Sequence, residues 1–267
     1  MDQPPTEVLA PMERAAFRAV SWLNRGGGAG LGKFWQRRVL PPFFRLFIGR
    51  RVDVIGLDRL RDIPPDASIL LVANHRSFFD LFALGWILDQ TPGLRRDTSF
   101  PVRANFFYES PLGLLVTLAL SGGTMFPPFF RSSEKRAFNA HSLDILIEKL
   151  RAPGSMVGFH PEGTRNKSLN PYDLLRAQPG AGELALKTRP VIVPAFINGL
   201  SNSVLTEARA NLRSSRSNRI TAIFGAPVKL PPLEGETRLS QHKRTADLLL
   251  ARIRELGAEE KALHSIR

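Results

Sequence analysis

From Val52 onward the chain alternates short β-rich runs with longer helical ones, and this constrains the fold more than any other feature. "VDVIGL" and "SILLVAN" read as strands, the second followed by a helix "FFDLFALGWILDQ". "TSFPVRA" reads as a strand ahead of an apolar helix around 112–120, and "TMFPPFF" as an extended piece. "AFNAHSLDILIEKLRA" has the apolar spacing of three and four that predicts a helix. "GSMVGF", "PVIVPAFI" and "RITAIFGAPVKL" read as strands, "GAGELALKT" as a short helix, and "RTADLLLARIREL" as an amphipathic one. Such alternation predicts an α/β fold: a single domain with a mostly parallel central sheet flanked by helices. Its expected span is 52–235. A C-terminal helical region, 236–267, should pack on it, with the tail after Gly257 fraying.

Residues 1–51 read differently. Beyond Glu13 they carry basic residues and no acid. Helical pieces "MERAAFRAVSWLN" and "LGKFWQRRVLPPFFRLFIGRR" flank a glycine-rich joint, and Pro41-Pro42 should break the second piece. Trp22, Phe34, Trp35, Phe43, Phe44 and Phe47 alternate with arginines. Amphipathic basic helices of this kind suit a membrane interface, where rings enter the headgroup boundary and cations meet anionic lipid. The competing expectation is that these rings pack on the catalytic body. The first residues, "MDQPPTEVLAPMER", are polar and partly acidic, unlike a signal peptide.

Net charge is +13, and arginine dominates it. An anionic partner follows, with phosphate favoured because a guanidinium pairs with it bidentately. No groove-reading helix or RNA-binding signature is visible, so nucleic acid is not an expected partner. The arginines at 209, 213, 216 and 219 read as a solvated face or a headgroup contact. There are no cysteines, which removes disulfides, thiolate metal sites and a cysteine nucleophile together. The longest uncharged run, 110–130, has too short an apolar heart to span a bilayer.

Two segments carry chemistry. In "LVANHRSFFD", His75 and Asp80 stand five apart. On an unbroken helix that spacing puts them on different faces. A strand ending near Asn74-His75 and a helix starting near Ser77 would let the turn bring them together, at the carboxyl end of a strand. Alternatively, "SFFD" is a capping box, with Ser77 as N-cap and Asp80 merely structural. In "GFHPEGTRN", Glu162, Gly163, Thr164 and Arg165 pack a carboxylate, a flexible residue, a hydroxyl and a guanidinium into one turn. Such a turn can offer backbone N–H groups and a guanidinium to a phosphate.

Together the segments resemble the glycerolipid acyltransferases, the family that includes the 1-acylglycerol-3-phosphate acyltransferases. Asn74-His75…Asp80 matches that family's N-H-x4-D motif. Phe159 and then Pro161 to Arg165 match F-P-E-G-T-R, and Pro194 matches a proline in an apolar strand. The resemblance covers roughly 52–230. It departs at His160, which stands between Phe159 and Pro161, and in "GGTMFPPFFR", where Gly122, Gly123 and Arg131 fit a glycine-led second motif ending in arginine but the interior does not.

The resemblance implies O-acyl transfer from acyl-CoA or acyl carrier protein to a lysophospholipid hydroxyl, most naturally on 1-acylglycerol-3-phosphate, with no cofactor. Glycerol 3-phosphate or a non-glycerol lipid remain alternative acceptors. His75 would be the general base, oriented by Asp80. Arg165 and the backbone around Gly163 would bind the acceptor phosphate, with Arg131 a second candidate. Glu162 would orient Arg165 or accept an acceptor hydroxyl. The apolar residues Phe78, Phe79, Phe126, Phe129 and Phe130 and the run Leu112 to Leu120 would house an acyl chain or form core. The expected setting is the cytoplasmic face of a membrane. Two rivals are a divalent-metal hydrolase built on His75, Asp80, His160 and Glu162, and a non-catalytic binder of anionic lipid or nucleic acid.

Overall fold

A computed structural model describes residues 4–213, 218–232 and 237–266. Arg216 and the expected boundary at 235–236 lie outside the described residues. Three helices come first: α1 (Pro11–Arg25), α2 (Ala29–Arg38) and α3 (Leu40–Ile48). Then follow β1 (Val52–Ile55), β2 (Ile69–Ala73), α4 (Asp80–Gln90), β3 (Asp97–Ser99), β4 (Val102–Arg103), the single turn α5 (Ala104–Phe107) and α6 (Pro111–Ser121). Next are β5 (Pro128–Phe129), α7 (Arg136–Arg151), β6 (Ser155–Phe159), α8 (Gly180–Thr188), β7 (Val191–Asn198), α9 (Val204–Arg213), β8 (Ile220–Phe224) and α10 (Arg238–Ile266).

Six strands form one sheet in the order β1-β8-β7-β2-β6-β3. Every pairing is parallel except β7 with β8. β4 and β5 make a separate parallel pair. The fold is the expected α/β domain. Central β2 explains why: all five of its residues are buried, as an apolar run covered on both faces must be. Ile69, Leu71 and Ala73 face one core, shared with α3 and α4. Leu70 and Val72 face the other, built from α7, α8 and α10. Register sets the site, since Val72 lies between Phe159 of β6 and Pro194 of β7. The chains leaving β2 and β6 therefore emerge side by side.

Several expectations need correction. "TSFPVRA" is not one strand; it breaks between Ser99 and Val102, around Pro101, into members of two different sheets. The second N-terminal piece divides at Val39, ahead of the prolines, because a helix accepts proline in its first turn. The helix after β2 begins at Asp80, not near Ser77. The tail after Gly257, expected to fray, is helical instead, because α10 runs on to Ile266. A Cβ on Gly257 would come 2.9 Å from the Phe196 ring, so glycine lets the helix lie close against β7, and Glu260 one turn later is fully buried.

The N-terminal aromatics split between the two readings. Phe44 and Phe47 are core, with Phe44 stacked on Phe82 and Phe47 edge-on to Phe79. Phe17 of α1 packs on Phe126 and Phe138. Trp22 and Phe34, by contrast, are 53% and 57% exposed. Phe79, Phe126 and Phe130, weighed as acyl-chain lining, are buried core. Among the described residues no helix is long and apolar enough to cross a membrane.

Candidate active site

The turn after β2 is folded around two carboxylates. Asn74, fully buried, donates to the Ile197 carbonyl at 2.9 Å and accepts from the Ile197 N–H at 2.8 Å. That reciprocal pair ties the turn to β7. Asp80 Oδ2 accepts from the backbone N–H groups of Arg76 and Ser77, each at 2.7 Å, and from His75 Nδ1 at 3.4 Å. The spacing of five thus closes a backbone loop in which one carboxylate gathers two amides and one imidazole. The expected capping box forms in part: Asp80 accepts the Ser77 N–H and the Ser77 hydroxyl accepts from the Phe79 N–H, but that hydroxyl also donates to the Ser201 carbonyl at 2.5 Å and the helix starts only at Asp80.

The second turn is laid against the first. Glu162, buried, accepts the His75 N–H at 2.8 Å with one oxygen and the Leu175 N–H at 2.7 Å with the other. The Asn166 N–H donates to the His75 carbonyl at 2.8 Å. Glu162 is therefore turned to the backbone of His75 and not to Arg165, whose Nη1 donates to Asn202 Oδ1 at 2.7 Å. Gly163 has φ +64°, a left-handed conformation that favours glycine. Its carbonyl accepts from Arg103 at 2.8 Å, and Thr164 beside it is half-buried. Pro194 lies in β7 opposite Val72, in the sheet and below the turn.

Charge is concentrated here. Burial, then neighbouring Arg131 and Arg165, lowers the Arg103 pKa. Arg131 is exposed. Arg76, Arg165, Asn166, Lys167, Leu200 and Asn202 line a cavity of about 360 Å³. Sequence reasoning missed Arg103, Arg76 and Asn202. Only Arg76 had a signal, its place inside the N-H-x4-D loop.

His75 is held neutral. Burial, then Arg165 and Arg103, lowers its pKa to about 3. Burial raises Asp80 to about 6 against its backbone donors. With Nδ1 directed to the carboxylate, Nε2 is the nitrogen left for a substrate. His160 lies face to face with His75, ring centroids 3.7 Å apart and planes 7° from parallel. Donor atoms of His75, Asp80 and His160 fall within 4.8 Å of one another. Yet lone pairs lie in the ring planes, so an ion in the plane of one stacked ring sits well off the other. The arrangement does not converge as a tetrahedral site requires.

The fold is of the α/β class, and its site sets an imidazole and a buried carboxylate beside an arginine-bearing turn. The acyltransferase family model matches residues 51–198, more than half of the chain, and the protein belongs to that family. It is similar to a 1-acyl-sn-glycerol-3-phosphate acyltransferase of Chlamydomonas reinhardtii, 26% identical over 81% of this chain and 56% of the relative. It is also similar to a 1-acyl-sn-glycerol-3-phosphate acyltransferase of Saccharomyces cerevisiae, 28% identical over 67% of this chain and 53% of the relative. The chain spans about half the length of these curated relatives.

Proposed function

We propose that the protein transfers a fatty acyl group from an acyl thioester, acyl-CoA or acyl carrier protein, to a lysophospholipid hydroxyl at a membrane surface. The acceptor that fits best is 1-acylglycerol-3-phosphate, giving phosphatidic acid. The observation that carries this reading is the neutral His75 imidazole, backed by Asp80, on a turn laid against the arginine-bearing turn of Arg165. His75 Nε2 takes the proton of the acceptor hydroxyl as its oxygen attacks the thioester carbonyl. Asp80 holds the tautomer and offsets the charge of the imidazolium. The thiolate then leaves; its conjugate thiol has an ordinary pKa of about 8.5, so little acid assistance is needed. Arg165, Arg103 and Arg131 together supply positive charge for the acceptor phosphate, with bidentate pairing available to each.

Exposed Trp22, Leu31, Phe34, Leu112 and Leu115 on α1, α2 and α6 support docking to lipid. Removing residues 1–51 would also remove core Phe44 and Phe47. A Trp22→Glu/Phe34→Glu variant in liposome flotation is therefore the cleaner test, and undiminished binding would count against this docking face. For the chemistry, thiol release is measured with both donors against lysolipids, glycerol 3-phosphate and non-glycerol acceptors. His75→Ala should abolish turnover in a folded protein, and Arg165→Ala should chiefly raise the acceptor KM. Substantial turnover by folded His75→Ala would remove His75 as the base.

A further inference from the structure

We propose that His160 is a positioning residue for acyl transfer, its ring clamping the His75 imidazole in the plane that keeps Nδ1 on Asp80 and Nε2 open to the acceptor. The proposal rests on the reading of His75 as the base. Three observations carry it. His160 is the residue at which the sequence departs from the run it otherwise resembles. Its ring lies flat on His75 at 3.7 Å, covering one face of the base. And the clamp is itself anchored: Nδ1 is 3.0 Å from the Ala73 carbonyl. A carbonyl only accepts, so Nδ1 carries the hydrogen in this bond. Ala73 is the last residue of β2, the strand that launches His75. Base and clamp therefore share one backbone support, and neither ring can turn without losing the stack or a hydrogen bond.

The stack also answers an electrostatic need. As His75 gains the hydroxyl proton it becomes a cation in a site that burial and two arginines make hostile to positive charge. A neutral aromatic face at this distance stabilises a cation through its π system; a second imidazolium would repel it. Burial, and then the proximity of His75, keeps His160 neutral. The charged and titratable groups around the pair are Asp80 and Arg76 from the turn into α4, Glu162 and Arg165 from the turn after β6, and Arg103 of β4.

The test compares His160→Phe, which keeps a flat aromatic face, with His160→Asn and His160→Ala, which remove it. Each folded variant is assayed with oleoyl-CoA and 1-oleoylglycerol-3-phosphate in mixed micelles, beside wild type and His75→Ala. Loss of the clamp should lower kcat about 10–100-fold, as small misplacements of a catalytic group do. KM should stay within about twofold, because binding is untouched. Phenylalanine should keep kcat within about threefold of wild type on the same argument. In the alanine variant water reaches His75, so the acid limb of kcat/KM should move up toward the ordinary imidazole pKa of about 6.5, and in the phenylalanine variant it should not. Should alanine not fold, asparagine makes the same comparison. Wild-type kcat in the asparagine or alanine variant, or a folded phenylalanine variant as slow as asparagine, would overturn the clamp while leaving His75 the base. An active His75→Ala enzyme would instead remove the base reading.

Discussion

Glu162 holds His75 by its backbone: a buried carboxylate oxygen accepts the His75 N–H at 2.8 Å, and its partner oxygen accepts the Leu175 N–H at 2.7 Å. Both oxygens face backbone donors, so the residue fixes where His75 stands. Burial raises its pKa, and the two amides pull it back toward the charged form.

Glu162→Gln should therefore hurt despite its near-identical shape. An amide offers one acceptor and one NH2, so one backbone N–H meets another donor. A buried donor left unsatisfied costs about 1–3 kcal/mol. The urea midpoint should fall accordingly, and kcat should fall more than KM rises. An unchanged midpoint would show that the two bonds do not hold the turn.

Asp80→Asn is expected to leave the fold and remove the chemistry. An amide oxygen in the Oδ2 position can still accept from Arg76, Ser77 and His75 Nδ1, but the neutral side chain no longer offsets the charge of the imidazolium formed when His75 takes the acceptor proton. The comparable change in a serine protease triad lowers kcat about 10⁴-fold. The measurement is thiol release at saturating acceptor, with circular dichroism confirming the fold; a loss below tenfold would argue that Asp80 is chiefly a cap.

Much of this site was legible because its parts are local. The N-H-x4-D spacing only makes sense across a turn, and the β-run before it says where the turn lies. The acidic–glycine–hydroxyl–arginine turn followed a strand and was equally visible. What was hidden depends on register. Arg103 ends a two-residue strand of the small sheet, and Asn202 lies in the loop after β7; neither position carries a local pattern. The face of His160 follows from β2 and β6 being neighbours, which no reading of one segment supplies. Helix α9 was unread because its buried side holds Glu207 and Asn211, polar residues that erase the apolar stripe a helix normally shows.

Acid should destabilise the protein partly through the stacked imidazoles. His75 and His160 both have pKa values lowered to about 3 by burial. Between that value and about 6.5 the unfolded chain binds their protons and the folded chain does not, so their contribution is full above 6.5 and is lost as pH falls. Asp80, raised to about 6, works in the opposite sense: the folded form binds its proton first, which favours folding as pH drops. The His160 contribution is isolated by difference. His160→Phe should lose less stability between pH 7 and 5 than wild type, by on the order of 1–2 kcal/mol. Parallel urea midpoints at the two pH values for both proteins would contradict this.

The loop carrying Asn202 is tied down by a buried ion pair. Arg51 and Glu207, each only 2% exposed, form a direct contact, and Arg51 also donates to the Asn218 carbonyl at 2.8 Å. The other Glu207 oxygen accepts the Ser201 N–H at 2.7 Å. Ser201 in turn receives the Ser77 hydroxyl, and Asn202 receives Arg165 and the Phe78 N–H. Glu207→Gln would leave a guanidinium buried without its counter-charge, which costs about 3–5 kcal/mol. At about 2–4 °C per kcal/mol for a chain of this size, the melting temperature should fall by roughly 10 °C. Because the loop also presents Asn202 to Arg165, the acceptor KM should rise at temperatures where the variant is still folded. Replacing both partners, as Arg51→Met/Glu207→Leu, removes the unpaired charge and should recover part of the melting temperature. The KM should stay raised in that double variant, because leucine offers the Ser201 N–H no acceptor; a double variant no more stable than Glu207→Gln would show that the pair's charge is not what the fold depends on.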